Sequence, residues 1–316
     1  MSLHPEVFIN IGIFSMFFAM LSMELMAASA ILFRYKESQK KVIPFIIPIW
    51  EITGTFFVFY VVNLEALVPS ILPLIAYTFI SYILFFLIVF ILRNAAIISA
   101  EYVWKNRFAN RKSLYKIYAV VTFVLGAVVL MIYASMISGA GINYSLQSFD
   151  ATKFVSFLPN DGFVIGSAII LFGLASIFYD LFVDPIMTFI TVIVGVIIAG
   201  ISFYEMGDLT TLPFVAIPLV ITLAIPVLNF LKGAKKYLHN KILFQGLLAV
   251  AVFFLALTDY PYLLGKTLNI NTILNNSAMQ TQIFYSTIVG GVILLLMTIL
   301  FFRIYTKQNG KLAESV

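Results

Sequence analysis

The sequence contains no cysteine, and only two of its 316 residues are histidine. The absence of cysteine excludes disulfides, iron–sulfur clusters and thiolate metal sites. His4 lies in the N-terminal tail and His239 lies in a lysine-rich connection, so neither histidine lies inside an apolar run. Haem iron requires an axial His, Met, Cys or Tyr ligand, and methionine in an apolar chain is explained more simply by packing. We therefore expect the chain to bind no haem and no metal by itself.

Charge is also scarce. Only 10% of the residues are charged, whereas a soluble domain carries roughly 25%. Hydrophobic residues make up 62% of the chain and the mean hydropathy is +1.06. The sequence has neither a Walker nor a Rossmann glycine loop, which excludes ATP hydrolysis. Repeated apolar runs of about 20 residues, the length that crosses a bilayer, predict an all-α polytopic membrane protein.

The apolar runs define nine predicted transmembrane spans in a single integral membrane domain, 1–316. They cover residues 7–33, 42–64, 70–98, 115–138, 163–182, 185–204, 212–231, 242–264 and 282–305. Spans one to four and five to eight are expected to form two four-helix units of similar shape, and the ninth span is expected to be a peripheral helix.

The basic residues orient these spans, because all but Lys153 and Lys266 fall on one side. That side carries Arg34, Lys36, Lys40, Lys41, Arg93, Lys105, Arg107, Arg111, Lys112, Lys116, Lys232, Lys235, Lys236, Lys241, Arg303, Lys307 and Lys311. The positive-inside rule therefore predicts an outside N-terminus and a cytoplasmic C-terminus in the cell (plasma) membrane. Because the net charge of +5 arises from these connections, it does not indicate a nucleic-acid partner.

The turn between spans five and six, "YDLFVDP", is the weakest predicted joint, because it carries two aspartates and no basic residue. Asp180 to Pro185 still breaks a helix, since proline cannot continue one. A single long helix here would move the later basic connections to the outside, which argues against it.

Two acidic residues lie inside apolar spans, where an ionised carboxylate costs ~3 kcal/mol. Glu24 and Glu51 each lie nine residues from the predicted cytoplasmic end of their span, Phe33 and Val42 respectively. At 1.5 Å per residue, both are expected about 14 Å below the same surface. Two poorly solvated carboxylates at one level favour a shared proton and a proton relay. The simpler interpretation is that each acid bonds to a neighbouring helix or lies in a subunit interface.

Three further polar residues are candidates for interface or structural roles. Arg93 and Glu101 flank the cytoplasmic end of span three, where they either pair with each other or Arg93 extends to the membrane surface. Asp259 lies near the outer end of span eight beside Pro261, which is typical of a helix-end residue.

Motifs spread along the chain resemble subunit II, the haem-free subunit, of cytochrome bd-type quinol oxidases. The first helix and its basic loop read "AMLSMELMAASAILFRYKESQKK", and span two begins with the proline–aromatic–acid motif "PIWE", residues 48–51. Span three ends on Arg93 in "FFLIVFILRN". The last two helices contribute "FFLALTDYPYLL", "NNSAMQTQIFYS" and "LFFRIYTKQNGK". Glu51 replaces the family's usual aspartate, and Glu24 among alanines replaces its glycine- and aspartate-rich motif, so the chain resembles a divergent member.

The resemblance implies a role within a respiratory electron-transport complex. Subunit II packs against a haem-binding subunit I, which carries haem b and haem d type groups, oxidises quinol and reduces O₂ to water. By position, Glu51 inherits a role in a cytoplasmic proton path at the subunit interface, together with Trp50 and Glu24. The chain itself is expected to bind no cofactor, although a structural quinone or lipid is compatible with the resemblance, and it is expected to have no activity alone.

The residues leave one alternative, a proton-coupled membrane transporter that uses Glu24 and Glu51 as its coupling site. Pro44, Pro48, Pro218 and Pro226 interrupt apolar spans, as in many transporters, but no internal repeat is visible. A neighbouring gene for a histidine-containing polytopic haem subunit would favour the oxidase.

Overall fold

The structure is a computed structural model that describes residues 4–104, 108–181, 184–207, 212–231, 233, 237–238, 240–265 and 267–314. Several residues used above lie outside the described residues, namely Lys105, Arg107, Lys232, Lys235, Lys236, His239 and Lys266.

The first half of the chain is a series of long apolar helices joined by short connections. Its helices are α1 (Pro5–Phe33), α2 (Tyr35–Lys41), α3 (Ile43–Leu67), α4 (Ile71–Thr78), α5 (Ile80–Ile98) and α6 (Phe108–Ser138). A π-helical turn, Ser99–Val103, extends α5. Helical pairing satisfies every backbone polar group within the segment, which is required in a bilayer. Pro5 and Pro44 lie in the first turns of α1 and α3, where a missing backbone N–H costs nothing.

The second half continues the helical pattern and adds two small hairpins. Its helices are α7 (Ala151–Ser156), α8 (Leu158–Phe178), α9 (Pro185–Met206), α10 (Leu212–Phe230), α11 (Lys241–Leu257) and α12 (Ser277–Glu314). The strands are β1 (Ile142–Asn143), β2 (Ser148–Phe149), β3 (Tyr262–Leu264) and β4 (Leu268–Asn269), paired antiparallel as β1–β2 and β3–β4.

Seven described helices are long and apolar enough to cross a membrane, and Phe214–Phe230 and Lys241–Leu257 are shorter apolar helices. Each of these nine segments overlaps one of the nine predicted spans, although several extend past the predicted ends. The prediction of an all-α, multi-pass membrane protein is therefore confirmed.

Helix α1 lies at the centre of the packing, against α3, α6, α8, α11 and α12. One group of contacts links α1, α3, α5 and α6, and a second links α8, α9, α10 and α11. The last helix, α12, packs mainly on α3 and α1. Helix α1 joins the two groups, because it also packs against α8 and α11, and α12 lies against the first group.

Small residues bring α8 and α9 into backbone contact. A Cβ atom added to Gly166 would lie 2.5 Å from the backbone nitrogen of Ala199, and one added to Gly195 would lie 2.8 Å from that of Ile170. Both distances are too short for a real side chain, so only glycine fits. Close approach of this kind compensates for the absence of a hydrophobic driving force between helices in lipid.

The predicted break between spans five and six is present: α8 ends at Phe178 and α9 begins at Pro185. The Lys41 ammonium lies 3.3 Å from Asp180 Oδ2, and Lys241 Nζ donates to the Phe178 carbonyl at 2.8 Å. The turn therefore lies beside the α2–α3 junction and the start of α11. We call this end of the helix bundle, which carries the predicted cytoplasmic connections, the basic end.

The opposite end is more structured than the sequence predicted. Predicted span three, 70–98, consists of two helices, because α4 stops at Thr78 and α5 begins at Ile80. The two polar outer loops contain α7 and both hairpins. Tyr144 joins the hairpins by donating to the Leu264 carbonyl at 3.0 Å. These loops fold because their asparagines and hydroxyl groups bond to nearby backbone groups, a short-range effect that hydropathy does not report.

Candidate functional site

Glu24 lies in the interior of α1, fully buried, and contacts Arg93 of α5. Arg93 Nη1 lies 2.9 Å from Glu24 Oε2, and both side chains are almost inaccessible, with 5% and 0% exposure. The angles do not meet hydrogen-bond geometry, so charge holds the contact. The guanidinium also lies over the Phe90 ring, 5.0 Å from its centroid. Because both charges are buried away from solvent, removal of either residue would leave the other charge without compensation.

The residues next to Glu24 explain why α1 tolerates a buried acid. Ala27 and Ala28 follow it and are 1% and 0% exposed. Such small side chains let neighbouring helices approach closely enough for a long arginine to reach across. Helix α5 presents Arg93 on its buried side, whereas most of its other large side chains are exposed.

Several polar atoms around this pair have no hydrogen-bond partner among the described protein atoms: Glu24 Oε1, Arg93 Nε and the hydroxyl of Tyr118 on α6. Tyr118 is fully buried and interacts electrostatically with both members of the pair. Tyr179, which follows α8, donates to the Met23 carbonyl at 3.1 Å. Since buried polar groups are almost always satisfied by protein or water, these atoms mark a polar core that favours bound water.

Glu51 has the opposite environment. It is exposed on α3, and its carboxylate forms no hydrogen bond or ion pair with any residue that the structure describes. Its backbone carbonyl accepts a hydrogen bond from Thr55 Oγ1 at 2.8 Å. Trp50 beside it is half-buried. Glu51 begins an exposed stripe along α3, made of Glu51, Thr55, Val58, Val62 and Glu65.

The structure therefore separates the two acids that the sequence placed at one level. Glu24 faces α5, whereas Glu51 faces the outside of the helix bundle. The expectation that they share a proton directly does not hold. The alternative of a proton-coupled transporter that uses Glu24 and Glu51 as its coupling site stays a prediction.

The ion pairs at the end of span three differ from the expected pair of Arg93 with Glu101. Glu101 accepts hydrogen bonds from Arg111 of α6 at 2.8 Å and from the Tyr115 hydroxyl. Arg93 neither pairs with Glu101 nor extends to the surface, because it turns inward to Glu24. Glu101 lies in the π-helical turn, a feature often found at functional sites.

Asp259 lies just beyond the end of α11, at the end opposite the basic end. It is half-buried, and it lies near enough to the Tyr133 hydroxyl to interact with it electrostatically. Its backbone carbonyl accepts from the Tyr262 N–H at 2.6 Å. This position agrees with a helix-end residue and lies far from the Glu24 pair.

Lys241 is a contact residue that the sequence did not indicate. Besides the Phe178 carbonyl, its ammonium lies over the rings of Phe178 and Tyr179, 4.3 and 4.9 Å from their centroids. Because Tyr179 also binds the backbone beside Glu24, Lys241 links the basic end to the neighbourhood of the buried pair. The only signal in the sequence was an aromatic pair at a helix end, which does not identify its cation.

No group of three or more His, Cys, Asp or Glu side chains that could hold a metal ion occurs among the described residues. The described histidine, His4, pairs with Glu6 at 3.0 Å near the start of α1. The chemistry of the site is therefore that of carboxylates, an arginine and tyrosine hydroxyls.

These features define a class, the polytopic helical membrane protein with acidic residues inside its spans. No protein-family model matches the sequence, and no curated protein matches it. Among solved structures, the chain is similar to bd oxidase from Geobacillus thermodenitrificans, with a TM-score of 0.69 and 16% identity. The match covers 96% of this chain and 99% of that one. The chain therefore has a bd-oxidase-like fold.

Proposed function

We propose that the chain is the haem-free subunit II of a cytochrome bd-type quinol oxidase. In this proposal a partner subunit carries the haem b and haem d type groups, oxidises quinol and reduces O₂ to water. The fold supports the proposal, because the likeness to a bd oxidase chain extends over nearly the whole length of both chains. The motif at residues 48–51 and the arginine at the end of span three supply independent support from the sequence.

The exposure of Glu51 is the observation that carries the proposal. A carboxylate facing hydrocarbon costs ~3 kcal/mol, and such residues normally face a partner or a water-filled path. Glu51 has neither within the described part of the chain, and the stripe around it is otherwise apolar or neutral as far as Glu65. A second membrane subunit packed on α3 would cover Glu51 and give it polar partners.

We further propose that Glu51 passes protons from the cytoplasm toward the partner, because reduction of O₂ to water consumes protons. Trp50, half-buried beside it, would fix the position of the helix at this interface. Glu24 belongs to the same path inside the helix bundle, where the polar atoms around the Arg93 pair favour the water needed for proton transfer. Arg93, Glu101 and Asp259 serve to hold the fold in this proposal.

Replacement of Glu51 by glutamine tests this role, because it removes the proton-carrying group and keeps the shape. We expect Glu51→Gln to assemble with its partner and its haems but to lower quinol oxidase turnover by about tenfold or more. The matched control is Glu65→Gln, on the same exposed stripe of α3, about 21 Å further along the helix. That variant should keep the original turnover.

Full turnover in Glu51→Gln would remove the proton role while leaving the subunit assignment intact. A complex that fails to assemble only in Glu51→Gln would instead assign Glu51 to subunit contact.

A further inference from the structure

Two adjoining apolar crevices run along the seam between α6 and α8, where the two groups of helices meet. The inner crevice has a volume of about 320 Å³ and reaches Leu25 of α1, and the outer one has about 550 Å³. They share the lining residues Val124, Ala127 and Val164, so the two crevices meet at these side chains. Each volume falls within the ~300–1,000 Å³ typical of small-molecule sites.

Polar groups line this crevice at one end only. Ser81 and Tyr82 lie at the start of α5, and Asp161 lies in the first turn of α8. All three belong to the end opposite the basic end, whereas the lining from Val164 to Leu171 is apolar. The crevice therefore has the polarity of an amphiphile, with one polar end and one apolar end.

The crevice has a defined depth. Asp161 and Leu171, at its two ends, are ten residues apart on α8, which corresponds to about 15 Å. The hydrocarbon core of a bilayer is about 30 Å thick, so this depth is that of one leaflet. An acyl chain from the leaflet at that end has the length to fill the crevice.

The charges at the polar end are of both signs. Asp161 is half-buried and forms no ion pair with a residue that the structure describes. Lys153 is exposed on α7, immediately before Phe154, which lines the crevice. An ammonium group suits Asp161, and a phosphate suits Lys153. A quinone carries neither charge, and an anionic lipid offers nothing to Asp161.

We propose that this crevice binds one zwitterionic phospholipid of the phosphatidylethanolamine type, with an acyl chain along α6 and α8 and its headgroup between Asp161 and Lys153. The lipid fills the seam between the two groups of helices and so holds them together. This proposal rests on the crevice alone and does not depend on the oxidase assignment.

The test uses the full chain with whatever subunits co-purify, reconstituted in equal amounts of phosphatidylethanolamine and phosphatidylglycerol with identical acyl chains. The protein is then extracted in mild detergent, and the retained lipid is measured by mass spectrometry. We expect about one phosphatidylethanolamine per chain. Ala127→Leu, which fills the shared part of the crevice, should abolish retention, whereas Ala216→Leu, at an exposed alanine of α10, should not.

The headgroup contact is tested separately with Asp161→Asn. Because a partly exposed ion pair contributes ~0.2–1 kcal/mol, the preference for phosphatidylethanolamine should fall by a factor of about 1.4 to 5. Glu205→Gln, which alters an exposed carboxylate near the end of α9, is the matched control and should keep the preference.

Equal lipid retention in Ala127→Leu and Ala216→Leu would overturn the site. Retention of phosphatidylglycerol, or of a co-purified quinone, in place of phosphatidylethanolamine would overturn the assigned ligand. An unchanged preference in Asp161→Asn would overturn the role of the carboxylate.

Discussion

Glu24 and Glu51 are the same residue type on neighbouring helices, and each was predicted at the same depth, yet their surroundings are opposite. Glu24 is 0% exposed and contacts Arg93, whereas Glu51 is exposed and unpaired among the described residues. The charge of Glu24 is paired within this chain, so its loss should affect the stability of the chain alone. The charge of Glu51 has no such partner, and in our proposal its contribution appears only in the assembled complex.

The largest effect is expected from breaking the buried pair. Arg93→Met leaves the Glu24 charge buried without a partner, which typically costs ~3–5 kcal/mol. The double variant Arg93→Met with Glu24→Met removes both charges and should recover most of that loss. Thermal unfolding in detergent measures both variants, and Arg303→Met, at an exposed position on α12, is the control. Equal loss in the single and double variants would show that the charges themselves do not matter.

Glu51→Leu is expected to change the free energy of unfolding of the isolated chain in the opposite direction from Arg93→Met. Removal of an exposed charge from an apolar stripe relieves a cost of up to ~3 kcal/mol, so stability in a bilayer should stay equal or increase. Turnover of the assembled oxidase should fall, as in Glu51→Gln. Unfolding measured in nanodiscs with and without the partner separates the two effects. Destabilisation of the isolated chain by Glu51→Leu would contradict the distinction between the acids.

The tyrosines near Glu24 give a smaller contrast. Tyr179→Phe removes the hydrogen bond to the Met23 carbonyl and should cost about 1 kcal/mol. Tyr118→Phe removes a hydroxyl that has no hydrogen-bond partner among the described protein atoms, so any loss of unfolding free energy must come from bound water. Because we infer water around the Glu24 pair, we expect a measurable but smaller loss than in Tyr179→Phe, and no loss in Tyr118→Phe would contradict the presence of that water.

The smallest effect on stability is expected from Asp150. This acid lies outside the membrane-spanning helices, so it can be compared with Glu24 and Glu51. It caps α7, and the hydrogen bond from the Thr152 hydroxyl, followed by those from the Lys153 and Thr152 backbone N–H groups, lowers the pKa of its carboxyl below the usual value. A lowered folded-state pKa means that the stabilisation is present above the unfolded-state pKa and is lost as pH falls through the folded-state value. The protection of the Thr152 and Lys153 amides, measured as the exchange rate relative to the intrinsic rate at each pH, should therefore fall in acid. In Asp150→Ala, this protection should be lower at neutral pH and should not fall further in acid.

The sequence predicted the helices well, because hydropathy and proline positions act along the chain. The apolar runs, the break between Phe178 and Pro185 and the fold class all follow from such local signals. Contacts between helices do not follow from local signals. Arg93 and Glu24 are far apart in sequence, and only the packing of α5 near α1 makes Glu24, and not the nearby Glu101, the partner of Arg93.

The exposure of Glu51 could not be predicted from the sequence either. The spacing predicted how far Glu51 lies below the membrane surface, but whether its side of α3 is exposed depends on which helices pack there. The hairpins at the end opposite the basic end were missed because hydropathy does not report the short-range pairing of Ile142 with Phe149 and of Tyr262 with Asn269. The contact between the two hairpins, from Tyr144 to Leu264, joins segments far apart in the chain and depends on the fold.

The most direct test is a tagged purification from native membranes in mild detergent, followed by a reduced-minus-oxidised absorbance spectrum. We expect a second polytopic subunit to co-purify, with b- and d-type haem bands, because we propose that a partner covers Glu51. A colourless protein that purifies alone and remains folded would show that the chain is not an oxidase subunit.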